Sequence, residues 1–250
     1  MAERTSAAVR PVALVTGAGS GIGRATARAL AARGYRCSLI GRTEATLRET
    51  GAGLGAEGED WTLVAADLST EAGVSAAAGG TLEAFGRLDA LVNNAGWSPL
   101  RPIGACSYGQ IREIFDVNAV GPLALIAACW GAFERQRSGC VVNVSTYSTI
   151  DPFPGLGVYG AAKAALNLIV RGIMNETSAW GEVRPGVPAM RAFAVAPGAV
   201  ETPLLRSLFP ESSLPRERTL EPEAVAEVIV ECVVGERDRQ VGETILLPSP

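Results

Sequence analysis

Along the chain, short apolar runs alternate with stretches whose apolar positions recur at helical spacing. Residues 12–16 form the first run and end in a glycine-rich turn. Residues 22–33 then carry a helical period that Gly34 stops. The same alternation predicts strands over 36–40, 61–66, 88–92, 140–144, 191–195 and 243–247, and helices over 44–54, 70–85, 108–135, 157–180 and 222–234. Gly121-Pro122 predicts a bend or shift inside the 108–135 helix, because proline lacks the N–H its turn requires. Pro185, Gly186 and Pro188 predict a surface loop over 180–190. Strand–helix alternation of this kind makes an α/β chain: a single doubly wound parallel sheet of about seven strands with helices on both faces. No shift in composition marks a second domain, so residues 1–250 read as one domain, with a loop or lid over about 202–220.

Such a fold must fill two helix–sheet interfaces, and the composition can do so: of 250 residues, 48% are hydrophobic and 19% charged. The net charge of -4 gives no basic footprint for a nucleic-acid partner. No apolar run approaches the roughly 18 residues that span a bilayer, and residues 1–10 have no apolar stretch of the secretory kind. Cys37, Cys106, Cys129, Cys140 and Cys232 are odd in number, scattered and without CxxC spacing; they read as reduced thiols of a cytoplasmic protein. There is no histidine, which removes His-paired nucleophiles and His-ligated metal sites, and no metal is expected. Every one of the 22 basic residues is arginine except Lys163, which singles out that ammonium as a compact point charge.

The first strand–helix turn reads Thr16-Gly17-Ala18-Gly19-Ser20-Gly21-Ile22-Gly23. Glycines there allow a tight turn, close backbone approach to a pyrophosphate and tight helix–strand packing, and the helix N-terminus supplies amide donors. Position after a strand and before a helix is the context a dinucleotide-binding turn needs. The second strand ends at Gly41-Arg42, where an acidic residue would grip the ribose 2′-hydroxyl of NAD; Arg42 suits the 2′-phosphate of NADP instead, with NAD the alternative. After the third strand, Asp67-Leu68 is placed to accept from the adenine amine, or Asp67 could cap the next helix.

Tyr159 and Lys163 lie four apart at the start of a helix, on one face. A nearby ammonium lowers a phenol's pKa, which would let Tyr159 serve as a general acid/base. With the glycine-rich turn, Asp67, Asn93-Asn94-Ala95-Gly96, Asn118, Ser145-Thr146 and Pro197-Gly198 in this order, the chain resembles the short-chain dehydrogenase/reductase family in its compact form, over about residues 12–247. That resemblance implies a nicotinamide-dependent oxidoreductase. Tyr159 would give or take the proton at the reacting oxygen. Lys163 would lower its pKa and bind the nicotinamide ribose. Asn118 would hold a water leading to solvent. Asn94, Ala95 and Gly96 would turn against the adenosine ribose. Pro197, Gly198, Val200 and Thr202 would orient the nicotinamide, though Thr202 could instead be only a helix N-cap before Pro203.

Three departures from the family pattern stand out. Its catalytic serine, roughly thirteen residues before the tyrosine, corresponds to Thr146 here; a loop one residue longer would make it Ser145, and neighbouring strand residues point to opposite faces, so only one can serve. The 180–190 stretch is longer than usual. Ser20 stands where NADP-preferring relatives often carry a basic residue, so the NADP expectation rests on Arg42.

The segments expected to line the substrate pocket hold Trp97, Tyr147, Ile150, Phe153, Leu156, Leu204, Leu205, Leu208 and Phe209, with Arg206 the one nearby cation. They predict a hydrophobic ketone or secondary alcohol, cyclic or polyketide-like. An epimerase or dehydratase with recycled NAD, and a catalytically silent nucleotide sensor, are the alternatives. Small and apolar residues on several faces of the two long helices, with the family resemblance, imply a homodimer or homotetramer.

Overall fold

The computed structural model describes residues 9–250. The reading of residues 1–10 as carrying no leader therefore falls largely outside the described residues, as do the first eight residues of the single-domain assignment.

The elements run β1 (Val12–Thr16), α1 (Gly21–Ala32), β2 (Arg36–Gly41), α2 (Glu44–Gly51), β3 (Trp61–Ala65), α3 (Glu71–Phe85), β4 (Ala90–Asn93), α4 (Tyr108–Phe115), α5 (Gly121–Gln136), β5 (Gly139–Val144), α6 (Gly157–Glu176), β6 (Glu182–Arg184), β7 (Val187–Pro188), β8 (Met190–Pro197), α7 (Pro203–Leu208), α8 (Pro222–Val234) and β9 (Thr244–Leu247). Seven strands pair in the order β3-β2-β1-β4-β5-β8-β9, and every pair is parallel. This is a Rossmann-type α/β sheet. The order reverses between β1 and β4, which opens a crevice at the carboxyl ends of those strands.

Alternate side chains feed two cores, as a pleated strand requires. Ala13 and Val15 join one with residues of α1, α2 and α8. Val12 and Leu14 join the other with residues of α3, α5 and α6. Strands buried on both faces explain why the sequence shows continuous apolar runs rather than strict alternation.

Three local expectations change. The 108–135 helix is two helices joined by a π-turn over Asp116–Val120. Pro122 has no N–H for the carbonyl of Asn118 four residues earlier, so the helical ladder slips there. The joined rod, Tyr108–Gln136, is long and apolar enough to cross a membrane by length and composition, where the sequence reading found no such run. In this fold it is a core element, with Leu125, Ile126, Cys129 and Phe133 buried. The 180–190 stretch is not a plain loop: β6 and β7 form a small antiparallel hairpin, and the helix before it stops at Glu176.

Candidate active site

The glycine-rich turn lies at the mouth of the crevice. Gly17 has φ +64 and Gly21 φ +49, a region glycine enters without strain. A Cβ on Gly23 would come within 2.2 Å of the Gly17 carbonyl, so the turn closes this tightly only with glycine. Ser20 caps α1 without using its side chain, and the first turn holds no acidic residue. The amides at that helix N-terminus are thus open to an anion, which fits the pyrophosphate of a nicotinamide dinucleotide. Thr16 braces the turn, its hydroxyl accepting from the amides of Asn94 and Ala95 at 2.9 Å each. The Asn94 side chain donates back to the Thr16 carbonyl at 2.8 Å. On the other side, Thr50 donates to the Ala18 carbonyl at 2.8 Å, and Arg24 holds Thr50. Arg24 and Thr50 were not singled out from sequence, and Thr16 was named there only as the head of the turn. Only the fixed position of Thr16 before Gly17 could have marked it.

Arg42 is exposed at the end of β2. The carboxylate nearest in sequence, Glu44, pairs with Arg48 instead. Asp67 is also exposed, and hydrogen bonds from the backbone N–H and hydroxyl of Ser69 hold it below the usual carboxylate range, with Arg42 adding a smaller pull. Asp67 is not the helix cap: Thr70 is, accepting from the Gly73 amide. Leu68 is buried, and its carbonyl presses on Gly121 so closely that a Cβ there would lie 2.2 Å away.

Tyr159 and Lys163 sit on the first turns of α6. Tyr159, like Trp97, Ile111 and Phe115, packs against a small buried cluster of Ile114, Ala119, Val158 and Ala162. Lys163 is 1% exposed, and its Nζ donates to the Val144 carbonyl at 2.9 Å. Burial pushes the ammonium down to about 8 and the phenol up to about 12. The lowering of Tyr159 by Lys163 that the spacing suggests is not seen: the ammonium rests on a strand carbonyl, and desolvation acts on the phenol.

Asn118 faces the same spot. A Cβ on Gly96 would fall 2.9 Å from Asn118 Oδ1 and 3.3 Å from Lys163 Nζ, so only glycine leaves those groups room. The Asn118 amide clamps the backbone after Gly96, donating to the Trp97 carbonyl at 2.6 Å and accepting from its N–H at 3.2 Å. Pro122 has no N–H to offer the Asn118 backbone carbonyl.

The two candidate hydroxyls differ in their surroundings. Ser145 turns into α6, its Oγ donating to the Lys163 carbonyl at 3.4 Å. Thr146 accepts from the Ser148 amide at 3.2 Å, which leaves its own proton free to donate.

The segment after β8 leaves and returns at one place. Val200 bridges to Leu220, and Leu220 donates to the Ala199 carbonyl at 2.8 Å. The Gly198 amide is bonded to the Leu247 carbonyl, which ties Pro197-Gly198 to β9. Thr202 caps α7, accepting from the Leu205 amide and donating to the Val200 carbonyl, so its hydroxyl is engaged at both ends. Its methyl lies 2.9 Å from where a Gly21 Cβ would sit, which brings this segment against the glycine-rich turn. Arg206 is not a substrate cation. It pairs with Glu201 and donates to the carbonyls of Phe209 and Leu214. Phe209 meets Phe153 edge to face, with centroids 5.1 Å apart. Two open cavities, of about 400 and 850 Å³, surround Gly186 and Asp238 at the amino-terminal edge of the sheet and share no residue with this site.

A family model described as short chain dehydrogenase matches residues 11–213. The chain belongs to the short-chain dehydrogenase/reductase family, and it is an oxidoreductase acting between CH–OH and C=O groups with a nicotinamide cofactor. It is 30% identical over 237 residues to an uncharacterized oxidoreductase of Staphylococcus epidermidis, covering 95% of this chain and 96% of that one. It is 34% identical to a Streptomyces violaceoruber protein named for ketoacyl reduction in the granaticin polyketide synthase, covering 90% of each. Among solved structures, levodione reductase matches with a TM-score of 0.84 at 28% identity, over 95% of this chain and 96% of that one. A 3-ketoacyl-(acyl-carrier-protein) reductase from Brucella melitensis complexed with NADH gives the same TM-score at 27% identity, with the same coverage.

Proposed function

We propose that this enzyme uses NADPH to reduce a hydrophobic ketone to a secondary alcohol, or runs that reaction in reverse. The observation that carries the reading is the buried Lys163 ammonium held between Val144 and Gly96, one helical turn from Tyr159 at the crevice. A nicotinamide held by the glycine-rich turn, Lys163 and the segment after Pro197 would supply the hydride, two electrons, to the carbonyl carbon. Tyr159 supplies the proton to the oxygen and is reprotonated through Lys163, the Asn118 carbonyl and solvent. Thr146 donates a hydrogen bond to the same oxygen. Lys163 would hold the nicotinamide ribose, and its ammonium, one turn from Tyr159, would favour the phenolate.

Arg42 supports the NADP part of this reading, because it is exposed at the position where the 2′-phosphate falls in this fold. Trp97, Phe153 and Phe209 around the mouth support an apolar substrate, and Arg206 is engaged by Glu201. The likeness to ketoacyl and levodione reductases agrees with a cyclic or polyketide-like ketone. Exposed Val120 and Leu168, at the two long helices, support a homodimer or homotetramer, testable by light scattering. Five free cysteines support a cytoplasmic location.

The test is NADPH absorbance with a panel of aryl and alicyclic ketones, and NADP with the matching alcohols. Net turnover on hydrophobic members is the expected result. No net turnover with any of them, or turnover confined to charged substrates, overturns the reading.

A further inference from the structure

We propose that Asn167 is a positioning residue that, through Thr149, holds the Thr146 hydroxyl in place against the helix carrying Tyr159 and Lys163. The inference rests on the reading above that Thr146 meets the substrate oxygen.

Thr146 opens a single 3₁₀ turn, Tyr147–Thr149. Both donors of Thr149 point back at the Thr146 carbonyl: the amide at 3.1 Å and the hydroxyl at 2.9 Å. A hydroxyl has one proton, and here it is spent. The contact between Thr149 Oγ1 and Asn167 at 3.1 Å must then have the amide Nδ2 as donor. That orientation leaves Asn167 Oδ1 buried without a partner among the described residues. Unpaired buried carbonyls are uncommon, so the amide is oriented to serve Thr149 rather than to satisfy itself.

The turn has a second anchor on the same helix. Gly160, the residue after Tyr159, lies so close to the turn that a Cβ there would come within 2.5 Å of the Ser148 carbonyl. Gly160 and Asn167 are seven residues apart and share a helix face. The turn is thus held at two points flanking Lys163. With the Asn167 contact removed, the Gly160 contact becomes a pivot. The fold would persist, while the Thr146 hydroxyl would no longer be fixed relative to Tyr159.

The test uses the full-length enzyme, NADPH and its best ketone. Asn167→Leu removes the amide at similar size, and Thr149→Val removes the hydroxyl at equal size. Each should lower kcat about tenfold to a hundredfold, the scale of a misplacement near 1 Å, with NADPH affinity unchanged. Thr149→Ser keeps the donor and should stay within about twofold of the native kcat. In a Thr146→Ala background, Asn167→Leu should cost nothing further, because the group it positions is gone. A normal kcat for Asn167→Leu beside a crippled Thr146→Ala overturns the inference. So does a loss that adds fully to that of Thr146→Ala. A Thr146→Ala enzyme with normal turnover overturns the underlying reading of Thr146 itself. Should Asn167→Leu not fold, the contrast of Thr149→Val with Thr149→Ser decides the question alone.

Discussion

Lys163 Nζ donates to the Val144 carbonyl at 2.9 Å, so a side chain of α6 closes the end of the strand from which Ser145 and Thr146 emerge. Two further ties run alongside it, from Ser145 to the Lys163 carbonyl and from Asn167 to Thr149. Strand end and helix therefore form one hydrogen-bonded unit that carries the acid, the ammonium and the candidate substrate hydroxyl. An ammonium has three protons, and this contact uses one of them.

Replacing Tyr159 by Phe removes the proton donor and keeps the ring that packs against the cluster of Ile114, Ala119, Val158 and Ala162. Turnover should fall by about 10²–10⁴ while NADPH affinity, read by fluorescence titration, stays within about threefold. Near-native kcat in Tyr159→Phe would take the phenol out of the proton path.

Lys163 also predicts how stability varies with pH. Burial depresses its folded pKa to about 8 from the ordinary 10.5. Between those values the unfolded chain binds the proton and the folded one does not. Stability must therefore rise as pH climbs from about 8 to 10.5, as the cost of burying the charge is relieved. The full gain is on the order of 3 kcal/mol. Tyr159 acts oppositely and later: its raised pKa, about 12, adds stability that is lost above pH 10. Thermal melting of ligand-free native enzyme and Lys163→Met from pH 7.5 to 9.5 checks this. The native enzyme should gain on the variant as pH rises, and a constant difference would contradict the assignment.

Arg42→Ala should weaken NADPH about tenfold to a hundredfold and leave NADH nearly unchanged, since a charge-assisted phosphate contact contributes about 1.5–3 kcal/mol. Titration of both cofactors on both proteins reads this directly. Equal affinity of the native enzyme for NADH and NADPH would remove the NADP preference.

The edge-to-face contact of Phe153 with Phe209 links the loop after β5 to the segment after α7. A double-mutant cycle of Phe153→Ala and Phe209→Ala should give a coupling of about 0.5–1.5 kcal/mol in stability. The single variants should raise KM for large apolar ketones more than for small ones. A coupling near zero would mean the rings merely touch.

The order of strands and helices was legible because hydrophobic period is a local property, and residues 12–16 and 222–234 show it cleanly. The break at Asp116–Val120 was legible only as a bend, since Pro122 reveals the missing donor but not how the helix absorbs the loss. The β6–β7 hairpin was hidden because three residues against two carry too little pattern to separate from a loop. At the site, Gly17, Gly23 and the Tyr159–Lys163 spacing could be read from the chain. The braces formed by Thr50, Thr149 and Asn167 could not, since each has an ordinary residue type and a partner distant in sequence.

By itself the sequence determined the fold class, the glycine-rich turn, the single lysine and the absence of histidine, because covalent order and local periodicity are enough to specify them. Only the tertiary structure decided through-space partners. It rests Lys163 on Val144, turns Ser145 into α6 while Thr146 keeps its proton, and consumes Arg206 in a pair with Glu201. Those outcomes depend on which faces meet when α6 and the segment after β8 pack on the sheet, and packing is a property of the whole core rather than of any one stretch of chain.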